Sequence, residues 1–326
     1  MLKQARWIAA LLPLMPLLFS PGAWAGEPGS VESFLSKETR LLVIAPHPDD
    51  ESLGAGGVIQ RVLALGGKAE VLFMTNGDGY PEGVEREDHV THPKASDYRK
   101  YGVERTEEAL SALAVLGVSK RRVTFLGFPD GGLCHLLHQY RADSRAYTSP
   151  FTKENQPPPS EVIIPRTEFN GQDLEAEVMR VLARFRPTLA AVTMPEDEHP
   201  DHCATFYFTR DAIADLAKKD PTFNPRVFVY LVHFKQWPLD AGGGSRMNPP
   251  ADFPDPAAGW LSFPLKPAEE LEKRKAILEY RSQMLVTGRY LLSFARSNEL
   301  FIPQSRTSPG EARDMPCCWN NGARDW

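Results

Sequence analysis

The amino-acid sequence predicts an α/β protein with a Rossmann-like, open and mostly parallel sheet that carries helices on both faces. Short apolar runs alternate with segments of helical periodicity, which is typical of βαβ units. The apolar runs are also continuous, as expected for strands buried on both faces of a sheet. In such folds ligands bind at the carboxyl ends of the strands, so the active site is predicted among the residues that follow each strand.

The elements follow from the positions of the apolar residues. Strands are predicted at 41–45, 69–75, 123–128, 189–194 and 227–234. Apolar residues at helical spacing predict helices at about 58–65, 97–116, 174–185 and 269–284. Two stretches, 129–171 and 237–267, show no clear period and are predicted as long loop excursions.

Residues 1–25 have the layout of a secretory signal peptide. Two basic residues precede a short apolar run, and Ala23-Trp24-Ala25 has the small-x-small pattern of a cleavage site. A transmembrane helix would need about 20 apolar residues, which this run does not supply. We therefore expect an exported protein, periplasmic or secreted, that is cleaved near Ala25, has no transmembrane segment in its mature chain and forms a single domain over 26–326.

Charge and cysteine content narrow the functional class. The chain has a net charge of -5, which becomes -7 when the leader and its two basic residues are removed. An acidic protein is a poor candidate for nucleic-acid binding, which needs a basic face. The four cysteines, none in the CxxC spacing of a zinc thiolate site, are Cys134, Cys203, Cys317 and Cys318. In an oxidising compartment one or two disulfides are expected, and three pairings remain open.

Two similar motifs stand at predicted strand ends. "PHPDDE" (46–51) follows the first strand and "EHPDH" (198–202) follows the fourth, and each contains His-Pro-Asp. His47, Asp50 and His202 would supply two imidazoles and one carboxylate, a set sufficient for a catalytic zinc with an open position. The glycines of "GAGG" do not complete the GxGxxG pattern of a phosphate-binding loop, and they instead indicate close packing of the first helix on the sheet.

The same motifs leave an acid and a histidine for catalysis. Asp49 would lie beside the metal, where its carboxylate could take a proton from metal-bound water. His199, as a cation, could stabilise a tetrahedral oxyanion or protonate a leaving amine. His233, at the end of the fifth strand, could reach the rim of the site or be a partly buried strand residue.

Other histidines carry a weaker signal. His89 and His92, and likewise His135 and His138, are spaced three apart, but both pairs lie in polar or loop regions without nearby acids in a ligand pattern. They are not expected to bind metal.

"APHPDDESLGAGG" together with "HPDH" resembles the PIG-L/LmbE-like family of zinc-dependent N-deacetylases, which remove acetyl groups from N-acetylglucosaminyl compounds and related amides. Further similar stretches are "TNGDG", "RTEEALSALAVLGV" and "FLGFPDG", with weaker "YRSQ" and "ARSNELF", so the resemblance runs from about Arg40 to Phe301. It implies a hydrolase that deacetylates an N-acetylated amino sugar, in a glycan, oligosaccharide or glycoconjugate, through attack of metal-bound water, and the predicted leader implies that this hydrolase is exported. The implied cofactor is Zn²⁺, with another divalent metal such as Fe²⁺ as the alternative.

The resemblance also implies roles for single residues. His47, Asp50 and His202 match the family's zinc ligands. Asp49 matches its general base, and His199 matches the histidine that stabilises the transition state and can act as an acid.

Three further residues are implied at or behind the site. Arg105 matches an arginine associated with sugar binding in some members. Asp201 is expected to orient a ligand histidine, as metal-bound imidazoles usually require. Asp197 is a departure, because it lies where some small-sugar deacetylases of the family have a tyrosine near the reaction centre.

Alternative functions remain open at this point. One is a zinc amidase acting on another small amide or an antibiotic-like conjugate. Two histidines and one carboxylate also suit non-haem iron oxygenases, although the predicted fold lacks the jelly-roll frame usual for them. A third alternative is a non-catalytic carbohydrate-binding protein, although such a protein would have no need of the Asp49 carboxylate as a base. Trp237, Tyr140 and Tyr147, within the two excursions, could stack on sugar rings under either a catalytic or a binding function.

Overall fold

The computed structural model describes residues 30–142, 144–239, 244–255 and 258–304 of the 326-residue chain. The predicted leader and two of the cysteines, Cys317 and Cys318, lie outside the described residues. The strands in these ranges are β1 (Arg40–Ala45), β2 (Lys68–Thr75), β3 (Val123–Phe128), β4 (Leu189–Thr193), β5 (Arg226–Tyr230), β6 (Leu261–Pro264) and β7 (Asn298–Gln304). The helices are α1 (Asp50–Ala64), α2 (Pro81–Glu87), α3 (Ala95–Val115), α4 (Leu133–Leu137), α5 (Gly171–Phe185), α6 (Pro200–Lys219), α7 (Pro267–Glu279) and α8 (Arg281–Leu292). None of these helices has both the length and the apolarity needed to cross a membrane.

Within the described ranges the strands form one sheet in the order β3-β2-β1-β4-β5-β7-β6. The first five are parallel, while β7 is antiparallel to β5 and β6 is antiparallel to β7. The predicted Rossmann-like, mostly parallel fold is therefore confirmed. The antiparallel edge was not predicted, because β6 is short and β7 lies in a stretch without strong strand periodicity.

Alternate residues of β1 serve two separate cores. Leu41 and Val43 belong to the core formed with α1, α3 and α7, whereas Leu42 and Ile44 belong to the core formed with α5 and α6. Because both faces of the strand are buried, its sequence is apolar at every position rather than at every second one. Helices cover both faces of the sheet, as predicted.

Several predicted boundaries were wrong for identifiable reasons. The predicted helix at 269–284 is broken at the buried Tyr280, whose backbone (φ -77°, ψ 63°) is not helical, so α7 and α8 are separate. The fifth strand ends at Tyr230 rather than at 234, because the next amides, of Val232 and His233, donate to the carboxylate of Asp197 instead of to a strand. Helix α1 begins at 50 rather than 58, and α6, which was not predicted, begins at Pro200 within the second His-Pro-Asp motif.

The glycines after the first motif allow close packing, as predicted. A Cβ atom at Gly54 would lie 2.1 Å from a ring carbon of Tyr230 on β5. Such a contact is far inside van der Waals distance, so only glycine lets α1 approach the sheet this closely.

A buried ion pair ties α7 and β7 to α1. Lys273 Nζ lies 2.7 Å from Glu299 Oε1, and neither side chain is exposed to solvent. Glu299 also accepts hydrogen bonds from the backbone N–H groups of Gly57 and Val58, at 2.7 and 3.0 Å, while Lys273 donates to the Leu53 carbonyl oxygen at 2.7 Å. The pair thus bonds to three backbone groups of α1 and connects that helix to β7, near the end of the described chain.

Removing one partner of this pair should strongly destabilise the protein. In Lys273→Met, the Glu299 carboxylate stays buried without its cation, which typically costs about 3–5 kcal/mol. The free energy of unfolding from equilibrium urea titration measures the loss. The matched control is Lys275→Met on the same helix, whose partner Glu272 forms an exposed pair with it and whose loss should cost about 0–1 kcal/mol. Equal stability of the two variants would contradict this account of the core.

Candidate active site

The two His-Pro-Asp motifs meet because their strands are neighbours. β1 and β4 pair in parallel, so the residues that follow them emerge at the same edge of the sheet. The first motif turns directly into α1, and the second turns into α6 at His199, the N-cap of that helix. The predicted location of the site at the carboxyl ends of the strands follows from this arrangement.

His47, Asp50 and His202 converge on one point. Asp50 Oδ2 lies 3.2 Å from His47 Nδ1 and 3.2 Å from His202 Nε2, and the two imidazole nitrogens are 3.3 Å apart. The three residues are 6, 1 and 0% exposed. The structure therefore brings together the three residues predicted from the sequence as metal ligands.

The donor set fits a divalent cation. Zinc bonds of about 2.0–2.1 Å in tetrahedral geometry place neighbouring ligand atoms roughly 3.3–3.4 Å apart, close to the separations of these three atoms. Burial opposes a charge on His202, but the carboxylates of Asp197 and Asp50 outweigh it and raise the pKa of His202 to about 9. The pKa of His47 is likewise raised, because Asp130, Asp201 and Asp50 outweigh its burial. The site thus attracts positive charge, which a metal ion would supply in place of protons.

Carboxylates stand behind both ligand histidines. His47 Nε2 lies 3.1 Å from Asp130 Oδ1 and 3.4 Å from Asp201 Oδ2. Asp201 also accepts hydrogen bonds from the backbone N–H groups of Gly131 and Leu133, at 2.7 and 2.9 Å. This is the geometry expected of a group that orients a ligand histidine, the role predicted for Asp201.

Asp130 was not assigned from the sequence although it is closer to His47 than Asp201 is. It lies in "FLGFPDG", at the end of β3 and at the same edge of the sheet as the motifs. Its position after the end of a strand was a signal that could have indicated a role in the site. A single acid in a turn, however, is far more common than a metal-site residue.

The carboxylate of Asp197 is engaged by His202 and by three backbone N–H groups. Its Oδ2 atom lies 3.1 Å from His202 Nδ1 and accepts the N–H groups of Val232 and His233, at 2.9 and 3.0 Å. Its Oδ1 atom accepts the N–H of His199 at 3.0 Å. At the position where the family pattern has a tyrosine in some members, this chain has a buried carboxylate that supports a ligand histidine.

Asp49 has a constrained backbone and a perturbed acidity. Its φ of 133° lies in the region that favours glycine. Burial raises the pKa of its carboxyl group to about 8 despite the nearby Arg105 guanidinium. None of the groups of closely spaced ligand atoms found among the described residues includes Asp49. Asp49 is thus a candidate base rather than a ligand, and a cation held by the three neighbouring residues would oppose the effect of burial and favour its ionised form.

Arg105 contacts Asp49 and the backbone of two segments of the site. Its guanidinium donates to the carbonyl oxygens of Pro48 and Gly77, at 2.5 and 2.9 Å, and lies 3.3 Å from Asp49 Oδ2. A Cβ atom at Gly77 would stand 2.0 Å from Arg105 Nη1, so glycine is required there. The structure places Arg105 where it fixes the loop that carries Asp49. Its implied contact with sugar stays a prediction.

His199 is held as a neutral ring. Its Nδ1 atom accepts the backbone N–H of Asp201 at 3.2 Å, which leaves Nε2 as the protonated nitrogen. Burial, together with the neighbouring His47, His202 and His233, holds the pKa of His199 well below its usual range. The cationic form expected from the sequence is therefore disfavoured. A neutral ring can still donate one hydrogen bond from Nε2.

His233 lies among the histidines of the site. The sequence had left this question open. Its ring centroid is 4.8 Å from that of His202 and 5.5 Å from that of His199. On its other side it stacks on Tyr290 of α8 at 5.7 Å. Burial and the neighbouring His202 lower the pKa of His233 to about 4. Its position after β5, the strand next to β4, was the signal that pointed to it.

The remaining candidates lie elsewhere or stay open. Among the described residues, no group of closely spaced ligand atoms contains the histidine pairs at 89 and 92 or 135 and 138. Of the aromatic residues in the excursions, Tyr140 and Tyr147 pack edge to face at 5.3 Å, and Trp237 packs against Phe294 at 5.7 Å. Cys134 and Cys203 both form disulfides, in agreement with the expected use of cysteines.

The fold is shared with solved structures of different activities. The N,N'-diacetylchitobiose deacetylase from Pyrococcus horikoshii matches with a TM-score of 0.50 and 18% identity, over 82% of this chain and 84% of that one. The A40926 pseudoaglycone deacetylase Dbv21 matches with a TM-score of 0.51 and 18% identity, over 83% and 99%. GalB, the 4-carboxy-2-hydroxymuconate hydratase from Pseudomonas putida KT2440, matches with a TM-score of 0.52 and 16% identity, over 83% and 97%. These similarities establish the fold alone, since one fold can host several reactions.

Sequence relatives share a more specific description. The 1D-myo-inositol 2-acetamido-2-deoxy-alpha-D-glucopyranoside deacetylase of Rhodococcus jostii is 29% identical over 181 residues, which cover 54% of this chain and 53% of the relative. The corresponding deacetylase 1 of Saccharopolyspora erythraea is 31% identical over 187 residues, or 56% of each chain. The chain thus spans about half the length of the curated relatives that it matches.

The family itself is established by its sequence model. The model of the PIG-L family, described as GlcNAc-PI de-N-acetylase, matches residues 42–213. That range is more than half of the chain and contains both His-Pro-Asp motifs. The resemblance seen in the sequence is therefore confirmed, and the chain belongs to the PIG-L family.

Proposed function

We propose that the protein is a metal-dependent N-deacetylase that hydrolyses the acetamide of an N-acetylated amino sugar. The observation that carries this proposal is the convergence of His47, Asp50 and His202 within 3.3 Å of one another, with Asp49 beside them. Membership of the PIG-L family and the deacetylases among the sequence relatives support it. The names of these relatives describe a 2-acetamido sugar as the substrate, and this is the substrate class proposed here.

The proposed metal is zinc. Two imidazole nitrogens and one carboxylate oxygen form a donor set typical of catalytic zinc, and Fe²⁺ is the alternative that metal analysis would reveal. When bound, such a cation supplies Lewis acidity, polarising a carbonyl and lowering the pKa of water to about 7. Asp130, Asp201 and Asp197 would hold the two imidazoles in the orientation that the ligand atoms require.

The remaining steps fall to side chains of this chain. Asp49 takes a proton from the attacking water as the new C–O bond forms on the acetamide carbonyl. The Nε2–H group of neutral His199 donates a hydrogen bond to the carbonyl oxygen as that atom becomes negative. The proton held by Asp49 then passes to the leaving nitrogen as the C–N bond breaks. The second proton of the water leaves the product carboxyl group and is taken up by the released amine, so the products are acetate and the protonated amino sugar, and atoms and charge balance.

The alternative substrate is the amide of an antibiotic-like conjugate. Its support is limited to deacetylases of the same fold, whereas the amino-sugar substrate is supported by the sequence relatives. A comparison of acetate release from N-acetylglucosamine, its oligomers and a glycopeptide conjugate separates the two.

We also propose that the protein is exported. The support is the signal-peptide layout of residues 1–25, which lie outside the described residues. N-terminal sequencing of the protein recovered from a bacterial periplasm or medium should begin near Gly26. Recovery of the uncleaved chain in the cytosolic fraction would contradict this proposal.

Replacing the proposed base should separate metal binding from turnover. In Asp49→Asn, the side chain keeps its size but loses its capacity to accept a proton at neutral pH. We expect kcat for acetate release to fall by about 10²–10⁴-fold. The zinc content, measured by elemental analysis, should stay near that of the wild type because the three ligand residues are intact.

The matched control is Asp215→Asn, which removes an exposed carboxylate on α6 and should leave kcat unchanged. Full activity of Asp49→Asn would rule out Asp49 as the base. Loss of zinc in parallel with activity would instead make Asp49 a metal ligand. Absence of acetate release by the wild type from every amide in the panel would contradict the proposed function itself.

A further inference from the structure

The third acid of "PHPDDE" has no role in the mechanism described above. Glu51 is completely buried at the start of α1. Its Oε2 atom accepts the backbone N–H of Asp49 at 3.1 Å, and its Oε1 atom accepts the Ser52 hydroxyl at 2.5 Å. Oε1 also accepts the hydroxyl of Tyr280, from the junction between α7 and α8. A buried carboxylate therefore connects the backbone of the proposed base to a distant part of the chain.

Asp49 needs such support because its backbone is strained. A non-glycine residue in a sparsely populated region of φ and ψ costs about 1–3 kcal/mol and persists only where its surroundings hold it. Asp49 has φ 133° and ψ -33°. Its carbonyl oxygen accepts the N–H groups of Ser52 and Leu53, both at 3.0 Å, while its N–H donates to Glu51. Hydrogen bonds thus hold the peptide group before the Asp49 Cα atom and the one after it.

The side chain of Asp49 does not cap the helix that begins after it. Aspartate at a helix N-cap usually accepts a backbone N–H of the first turn through its own carboxylate. Asp49 is the N-cap of α1, yet its side chain makes no capping hydrogen bond. Instead, Glu51 reaches back to the N–H of the cap residue, much as the glutamate of a capping box does. The Asp49 carboxylate therefore remains available to the site.

We propose that Glu51 is a positioning residue: its carboxylate, held by Tyr280 and Ser52, keeps the Asp49 backbone in its strained conformation and so aims the base into the site. This inference rests on the proposed function and adds to it a determinant of the base's geometry. It predicts that Glu51 acts on turnover through Asp49 rather than through the metal. The hydrogen bond to the N–H group is the essential feature, so a neutral acceptor of similar shape should serve.

If Glu51 had only a structural role, that role would be to stabilise the α7–α8 junction. The chain offers a matched control for this possibility. Glu108 of α3 is a second buried carboxylate at the same junction. It accepts the backbone N–H and the hydroxyl of Ser282, at 2.8 and 2.7 Å, two residues beyond Tyr280. Glu108 thus fastens the junction without bonding Asp49. Its removal should affect stability but not the base.

The test uses Glu51→Ala, Glu51→Gln and Glu108→Ala in the zinc-loaded, full-length protein, with N-acetylglucosamine oligomers as the probe. Misplacement of a catalytic group by about 1 Å can cost about 10²-fold, so we expect Glu51→Ala to lower kcat by roughly 10–100-fold. KM and zinc content should remain within about threefold of wild type, since binding groups and ligands are untouched. Glu51→Gln should recover most of kcat, and Glu108→Ala should retain it.

A second measurement does not depend on activity. In the crystal structure of Glu51→Ala, Asp49 should leave the region of positive φ and its carboxylate should shift. If Glu51→Ala does not fold, Tyr280→Phe, which removes one of the two hydroxyls that hold Glu51, replaces it in both measurements with a smaller expected effect.

Three results would overturn the proposal. One is that Asp49 keeps a φ near 133° in the variant structure. Another is that Glu51→Gln is as impaired as Glu51→Ala. The third is that Glu108→Ala lowers kcat as much as Glu51→Ala does. A wild-type protein without deacetylase activity would contradict the proposed function, whereas the Asp49 backbone in the variant would still decide the role of Glu51.

Discussion

The site depends on holding three ligand atoms of His47, Asp50 and His202 within 3.3 Å of one another in a buried pocket. Groups this polar are costly to bury unless charges are balanced and hydrogen bonds are made. Carboxylates behind the imidazoles provide that balance, and backbone N–H groups in turn hold the carboxylates. The resulting excess of carboxylates favours a divalent cation, which is the occupant proposed above.

The order of the strands delivers this arrangement. β1 and β4 lie side by side in the middle of the sheet, and each contributes a ligand motif at its carboxyl end. The chain after β3 contributes Asp130, and the chain after β5 contributes the amides that hold Asp197. The proposed ligands therefore follow the adjacent strands β1 and β4, and the carboxylates that support them follow β4 (Asp197 and Asp201) and β3 (Asp130). Glu51 and Arg105 extend the same support to Asp49, so the base and the ligands are fixed by separate sets of contacts.

The convergence of His47, Asp50 and His202 could be predicted because their residue types and strand-end positions pointed to one edge of the sheet. Asp130 has the same position but stands alone in its turn, so its role depends on a contact with His47 that sequence spacing does not encode. The direction of Asp197 depends on amides more than 30 residues away. The neutral state of His199 depends on burial among other imidazoles, and the break at Tyr280 coincides with a long-range bond to Glu51. Local patterns thus predicted most of the parallel sheet and the convergence of the two motifs, while tertiary contacts decided the orientation and charge of the side chains.

If the two His-Pro-Asp motifs form one metal site, anomalous diffraction will locate the ion between them. The diffraction is recorded from crystals of the zinc-loaded protein on both sides of the zinc absorption edge. We expect a single strong peak bounded by His47 Nδ1, Asp50 Oδ2 and His202 Nε2. A peak on the opposite side of the His47 ring, between its Nε2 atom, Asp130 and Asp201, would contradict this expectation, because those three residues also lie close enough to hold an ion.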